Sequence, residues 1–303
     1  MNILVTGGDG QLAKCIKDDV AATYAFMTVK ELDKSKNNHY FFKNRDEVDI
    51  TNPSMVEDYV KKNNIDVIIN CAAYTNVENA ETEEGSVIAD NVNFFGPRKM
   101  ADICKKYDIT LIHISTDFVF GGEKNKPYDE NDGIAPLNVY GLTKARAETI
   151  AHFNPNTIII RTSWLYSEYG KNFFKTMLER VNKGLDTKVI NNQIGTPTYA
   201  RDLAEFIVYL VEKTDLKTYS GTYHFSNEGE CSWYDFAHMI EMLTTGCNRY
   251  IKPCATEDFS CKAVRPKYSV LSKDKIREVF GCKPRLWTDA LFECIQNNKS
   301  TQN

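Results

Sequence analysis

A tyrosine and a lysine stand four residues apart in Tyr140-Gly141-Leu142-Thr143-Lys144, a spacing that puts both on one face of a helix. A free phenol titrates near about 10 and exchanges protons poorly at neutral pH. An ammonium close by favours the phenolate, so the pair predicts a tyrosine with a lowered pKa, fit for general acid/base work. Upstream, the apolar run Leu111 to Ile114 ends in Ser115-Thr116-Asp117, whose hydroxyls can reach a substrate carbonyl. Ligands of open α/β sheets sit at the carboxyl ends of strands. Thr116, Tyr140 and Lys144 are therefore the candidate catalytic set. Alone, a Y-x-x-x-K spacing is common, and an ordinary surface pair is its bland alternative. The surrounding chain decides between them.

Ile3-Leu4-Val5 runs into Thr6-Gly7-Gly8-Asp9-Gly10, so Gly7-x-x-Gly10-x-x-Ala13 follows a strand and opens a helix. Glycines suit a tight turn and close approach to a pyrophosphate, and a small third residue lets the helix pack near the strand. The helix N-terminus adds free N–H groups and a positive dipole end. At the start of a βαβ series this turn predicts a nicotinamide dinucleotide site, where Lys144 can also hydrogen-bond the ribose. After the second strand the segment reads Phe42-Lys43-Asn44-Arg45-Asp46. Its acidic residue is displaced and two cations flank Asn44, which favours NADPH over NADH through Arg45 or Lys43 on the 2'-phosphate. The alternative is that both cations lie in solvent.

The elements that must hold these groups follow from periodicity. A helix is expected from Gln11 to about Val20, strand candidates at Phe26 to Val29 and Tyr40 to Phe42, and a helix opened by Pro53 and running to about Asn63. Tyr40 to Phe42 is the better partner for the first strand. Asp66 to Ala73 is a near-continuous apolar strand, the pattern of a parallel sheet covered on both faces. Then come a helix from Asn91 to Tyr107, a strand from Thr110 to Ser115, a helix from Val139 to Ala151 and a strand from Thr157 to Arg161. This alternation predicts an α/β fold, a Rossmann-like doubly wound parallel sheet. After Trp164 the rhythm changes, with a helix at Asn172 to Lys183 and mixed short elements. We expect a dinucleotide-binding domain over 1–165 and a smaller α/β substrate-binding domain over 166–303, with the segment near 195–215 packing back on the first. From Gln296 onward the chain is polar and reads as a frayed tail.

The 303 residues carry a formal net charge of -4, so no basic field points to nucleic acid. No apolar run is long enough to span a bilayer, and the first residues lack a signal peptide's basic and apolar regions. Nine cysteines are scattered without a C-x-x-C pair; Cys71 and Cys104 read as buried thiols, and Cys254 and Cys261 lack the close spacing of structural zinc ligands. These features place the chain in a reducing cytosol, with no membrane or nucleic-acid partner and no metal.

With these motifs in view, the chain resembles the extended short-chain dehydrogenase/reductase superfamily and, within it, the dTDP-4-dehydrorhamnose reductase family. The likeness covers nearly the whole chain: Thr6 to Leu12, Val48-Asp49-Ile50-Thr51, Cys71 to Glu78, Ser115 to Phe120, Pro136 to Lys144, Arg161 to Tyr166, Gly170 to Phe173, Asn192 to Thr198 and Arg265-Pro266-x-x-Ser269-Val270-Leu271. It implies that Gly7, Gly10, Gln11 and Leu12 form the pyrophosphate turn, that Asp49 and Ile50 border the adenine, and that Ala72, Ala73, Tyr74 and Thr75 line the rest of the dinucleotide. Tyr140 would be the proton donor and Lys144 its partner. Thr116 and Asp117 would contact the sugar, Trp164 would pack on its ring, and Asn172 and Arg265 would meet the nucleotide diphosphate. A core tryptophan and a structural ion pair are the plain alternatives for Trp164 and Arg265.

The implied reaction is reduction of the 4-keto group of dTDP-4-dehydro-β-L-rhamnose to dTDP-L-rhamnose, by a monomer or homodimer. Three departures stand out: Ala13 replaces a glycine, Phe118 replaces the tyrosine usual after Thr116-Asp117, and Asn76 and Asn79 differ from the commoner residues. Some members carry a metal at a dimer contact, but no acidic cluster here carries that over. Reduction or epimerisation of another nucleotide sugar is the nearest rival, and a non-catalytic dinucleotide-binding regulatory subunit the rival of a different class.

Overall fold

Apolar runs broken by glycine, proline and asparagine turns make strands and helices alternate. The computed structural model describes residues 1–26, 38–213 and 215–300. The first half runs β1 (Asn2–Thr6), α1 (Gln11–Phe26), β2 (His39–Lys43), α2 (Pro53–Asn63), β3 (Val67–Asn70), α3 (Val77–Ala80), α4 (Glu83–Asp90), α5 (Gly96–Lys106), β4 (Thr110–Thr116), α6 (Val139–Glu148) and β5 (Thr157–Thr162). A π-helical turn, Asn91–Phe95, joins α4 to α5. The second half has β6 (Leu165–Tyr166), α7 (Phe173–Asn182), β7 (Thr187–Ile190), β8 (Ile194–Gly195), β9 (Thr198–Tyr199), α8 (Ala200–Lys213) and β10 (Gly221–His224). It closes with β11 (Cys231–Ser232), α9 (Trp233–Thr245), β12 (Ile251–Cys254), α10 (Asp274–Phe280) and α11 (Trp287–Ser300).

Six strands form one parallel sheet in the order β10-β5-β4-β3-β1-β2. The strand order reverses at β1, between β2 and β3, which opens a crevice at the strands' carboxyl ends. Alternate side chains serve two cores, as the two-residue period of a strand requires. Ile3, Val5, Ile69 and Ile112 pack on one face with α1 and α8. Leu4, Ile68 and Leu111 pack on the other with Val56 of α2 and Met100 and Cys104 of α5. A third core, built on Tyr166, Phe174, Tyr199, Phe236 and Leu291, belongs to the second half of the chain.

Two local expectations are corrected. Helix α1 runs on past Val20 to Phe26, so Phe26 is helical; the rest of the Phe26 to Val29 strand candidate lies outside the described residues. The polar C-terminal segment is not a frayed tail as far as Ser300: α11 continues through it. Asn297 Nδ2 donates to the Tyr199 hydroxyl at 3.0 Å and Asn298 is buried, so polar side chains there anchor the helix. Among the described residues no helix is long and apolar enough to cross a membrane.

Candidate active site

Where β1 gives way to α1, the backbone itself makes a cradle. Gly7 sits at φ +67°, and a Cβ there would come within 2.8 Å of the Ala72 backbone nitrogen. Only glycine takes that conformation and closeness without strain. Gly10 N donates to Gly7 O at 2.8 Å, which tightens the turn. Ala13, fully buried, lets α1 lie against the sheet. The cradle opens into a cavity of about 480 Å³ floored by Gly10, Gln11, Leu12, Ala72 and Ala73 and reaching Tyr140 and Lys144. Its bare backbone and helix N-terminus fit a dinucleotide pyrophosphate.

Helix α6 is fixed by its first residues. Asn138 Oδ1 accepts from Gly141 N at 2.8 Å as N-cap, while its Nδ2 donates to Val264 O at 2.7 Å. Gly141 allows the helix to press on the end of β4, since a Cβ there would meet Phe118 O at 2.3 Å. That closeness brings Tyr140 to Thr116, with which it hydrogen-bonds. Phe118 packs edge-on against the Tyr140 ring, centroids 5.8 Å apart.

The electrostatics differ from the expected phenol–ammonium pair. Burial raises the Tyr140 phenol to about 12; the bond with Thr116 lowers it and the neighbouring Asp117 raises it, and Lys144 is not among the causes. The Lys144 ammonium is turned elsewhere. Its Nζ donates to Ile114 O at 2.6 Å and lies 3.4 Å from His113 Nε2. Burial lowers Lys144 to about 8, against the opposing pull of Glu148 and Cys71. Tyr140 is thus held as a protonated phenol, the form that can give a proton. Asp117, buried and bonded by Ser269 Oγ at 2.6 Å and Thr116 Oγ1 at 3.0 Å, is pushed up to about 7 by burial.

A larger cavity, about 1060 Å³, adjoins the first. Thr75, Thr116, Tyr140, Trp164, Phe173 and Trp233 line both. Its far side is formed by the second half of the chain, including Met177 and Arg180 of α7, Lys188 of β7, and Phe259. Trp164 and Trp233 stack at 3.6 Å between ring centroids, 9° from parallel. Trp164 has φ +46°, an outlying conformation for a bulky residue. Gly195 makes room for it, because a Cβ there would strike the indole at 2.6 Å.

Residues 1–300 match the RmlD substrate binding domain. The chain belongs to this family. It is 37% identical over 298 residues to the dTDP-4-dehydrorhamnose reductase of Aggregatibacter actinomycetemcomitans, covering 95% of this chain and 96% of that protein. The crystal structure of a dTDP-4-dehydrorhamnose reductase from Clostridium acetobutylicum superposes with a TM-score of 0.88 at 37% identity, over 99% of this chain and 100% of the other. A dTDP-4-dehydrorhamnose reductase from Bacillus anthracis, solved in complex with NADP, gives 0.85 at 33% identity over 98% and 99%.

Against this RmlD-type frame, the residues singled out in the sequence fall into three groups. Gly10, Gln11, Leu12, Ala72, Ala73, Thr75, Tyr140 and Lys144 line the smaller cavity, with Gly7 shaping its turn. Thr116 and Trp164 line both cavities; Asp117 and Arg265 line the larger. Arg45, Asp49, Ile50 and Tyr74 line neither. Exposed Arg45 pairs with Asp49 at 3.3 Å, Ile50 is buried, and the Tyr74 hydroxyl accepts from Asn79. Asn172 stands on the smaller cavity and caps α7, with its Nδ2 given to Ser167 O at 2.8 Å and Gln11 Oε1 at 3.1 Å. Arg265 pairs with Glu78 at 2.6 Å. Sequence reasoning missed Trp233, for which nothing local signalled a site. It also missed Asn70, which lines the smaller cavity and whose polarity at the end of the apolar run Val67 to Ile69 was the signal available.

Proposed function

We propose that this protein reduces the 4-keto group of dTDP-4-dehydro-β-L-rhamnose to give dTDP-L-rhamnose, with NADPH as the preferred reductant. The observation that carries the reading is the wall shared by the two cavities: Thr116 and Tyr140 face both the groove at the Gly10 turn and a larger chamber. The dinucleotide, when bound, supplies the hydride. Tyr140 protonates the alkoxide that forms at C4, and Thr116 stabilises the developing charge by hydrogen bonding. Lys144 holds the ribose, and Trp164 with Asp117 orients the sugar. Arg265 and Asn172 act toward the nucleotide diphosphate, and Arg45 meets the 2'-phosphate. Asp49, Ile50 and Tyr74 border the remainder of the dinucleotide. The work divides between residues 1–165, which bind the dinucleotide, and 166–303, which bind the sugar nucleotide; α8 and α1 packing in one core supports a segment near 195–215 that returns to the first part. We place the enzyme in the cytoplasm, as a monomer or homodimer.

The test is cofactor oxidation followed by absorbance, with the dTDP-4-keto sugar and each reduced dinucleotide. Oxidation that depends on the sugar and runs faster with NADPH is expected. No oxidation with either dinucleotide would remove the assignment.

A further inference from the structure

Three polar residues lie side by side across β1, β3 and β4, toward the carboxyl end of the sheet. Thr6 is the register partner of Asn70, and Asn70 that of His113. All three are buried, Thr6 and His113 completely. Burying such groups is costly unless they are satisfied, and here they form a chain. Thr6 Oγ1 donates to Asn70 Oδ1 at 2.7 Å, and Ala72 N donates to the same oxygen at 3.3 Å. The Ala72 N–H can only donate, so it fixes which end of the Asn70 amide is oxygen. Asn70 Nδ2 then faces His113 Nδ1 at 3.1 Å and must donate to it.

An imidazole that accepts at Nδ1 and is neutral carries its proton on Nε2. Burial and the nearby Lys144 hold His113 neutral. Its Nε2–H therefore points at Lys144 Nζ, 3.4 Å away. An ammonium has three hydrogens to give and nothing to accept with; it finds Ile114 O at 2.6 Å and, towards His113, another donor.

We propose that His113 is a positioning residue for the reaction: locked by Asn70 in the Nε2–H tautomer, it turns a donor toward the ammonium of Lys144 and so adds to burial in disfavouring that charge. The other titratable groups around Lys144 are Cys71 after β3, Glu148 one turn on in α6, and Tyr140 one turn back. Glu148 favours the ammonium but is itself bound to Arg161 at 2.7 Å. His113 thereby tunes a group already placed in the site by the reading above, and deepens that reading.

The tautomer is read on the whole, ligand-free chain by long-range proton–nitrogen NMR of its histidine rings, with His113 assigned by its loss in His113→Phe. We expect a neutral Nε2–H ring throughout the neutral range. Asn70→Asp replaces the donor with an acceptor and should switch the ring to Nδ1–H, which a passive packing role would not do. Titration of the Lys144 Nζ signal should give a midpoint near 8 in the native chain and a higher one in His113→Phe, where burial remains but the facing donor is gone. The alkaline limb of kcat/KM should move with it. An Nδ1–H ring in the native chain, or an unchanged ring in Asn70→Asp, would overturn the proposal, as would a Lys144 midpoint unmoved in His113→Phe. If His113→Phe does not fold, Asn70→Asp and the native spectrum still decide. These spectra need no substrate, so failure to turn over the keto sugar would defeat the functional reading alone.

Discussion

The two adjoining cavities are built in opposite ways. The smaller has a floor of backbone and small residues at the ends of β1, β3 and β4, where the approach of Gly7 to Ala72 leaves no space for a methyl group. The larger is made of long side chains from separate elements: Trp164 after β5, Arg180 from α7, Lys188 from β7, Trp233 from α9 and Arg265 from a loop. Backbone cradles tolerate little and bind what is common to many ligands, whereas side-chain walls can be re-cut one residue at a time. The proposed function puts the invariable dinucleotide in the first and the distinctive sugar nucleotide in the second. On the proposed function, Tyr140 and Thr116, on the common wall, are the groups whose loss should affect the chemistry rather than either binding event.

The comparison is broken most severely at that wall. Tyr140→Phe should lower turnover by roughly 10²–10⁴-fold, the range for losing a proton donor, with dinucleotide affinity by fluorescence titration nearly unchanged. Near-normal turnover would put the proton donor elsewhere. Gly7→Ala attacks the backbone cavity alone: a methyl at φ +67° and 2.8 Å from Ala72 N forces the turn open at a cost of about 1–3 kcal/mol. Dinucleotide affinity should fall by about tenfold or more, and unchanged affinity would mean that the cradle is not the pyrophosphate site.

Arg45→Ala sharpens the boundary of the smaller cavity. Arg45 is exposed and carries only a weak pair with Asp49, so loss of its bond to a 2'-phosphate should reduce the NADPH preference about tenfold. An unaltered ratio of kcat/KM for the two dinucleotides would leave Arg45 a solvated surface charge. A different kind of effect, on stability, is expected in the larger cavity. Burial pushes the Asp117 carboxyl up to about 7 in the folded chain, above its ordinary 3.8. The unfolded chain therefore loses this proton first, and destabilisation by Asp117 builds between these two values as pH rises, then levels off. Asp117→Asn should raise Tm at pH values above 7 and leave it almost unchanged near the lower end of that window. Equal shifts at both ends would show that the carboxyl is ionised throughout.

Much of the site was legible because its signals are local. The Gly7 turn and the Tyr140–Lys144 spacing need only a strand followed by a helix, and the alternation that gives the parallel sheet is written in the apolar periods of residues 3–161. The charge state was not. A helical spacing of four suggested that Lys144 acidifies Tyr140, yet the fold turns the ammonium to Ile114 O and His113, and burial raises the phenol instead. Likewise, nothing near Trp233 in the chain revealed that it stacks on Trp164, since the partners are far apart in sequence and meet only when α9 packs behind β6.

By itself the sequence determined which backbone could turn tightly enough for a pyrophosphate, which residues share a helical face, and how strands and helices alternate. These depend on φ/ψ preference and on short-range period. Tertiary structure alone decided how β3 and β4 align Asn70 with His113, which hydrogens Lys144 must face, and how the second half of the chain walls the larger chamber. Register, desolvation and the direction of a donor are properties of groups brought together from distant positions, and no local spacing fixes them.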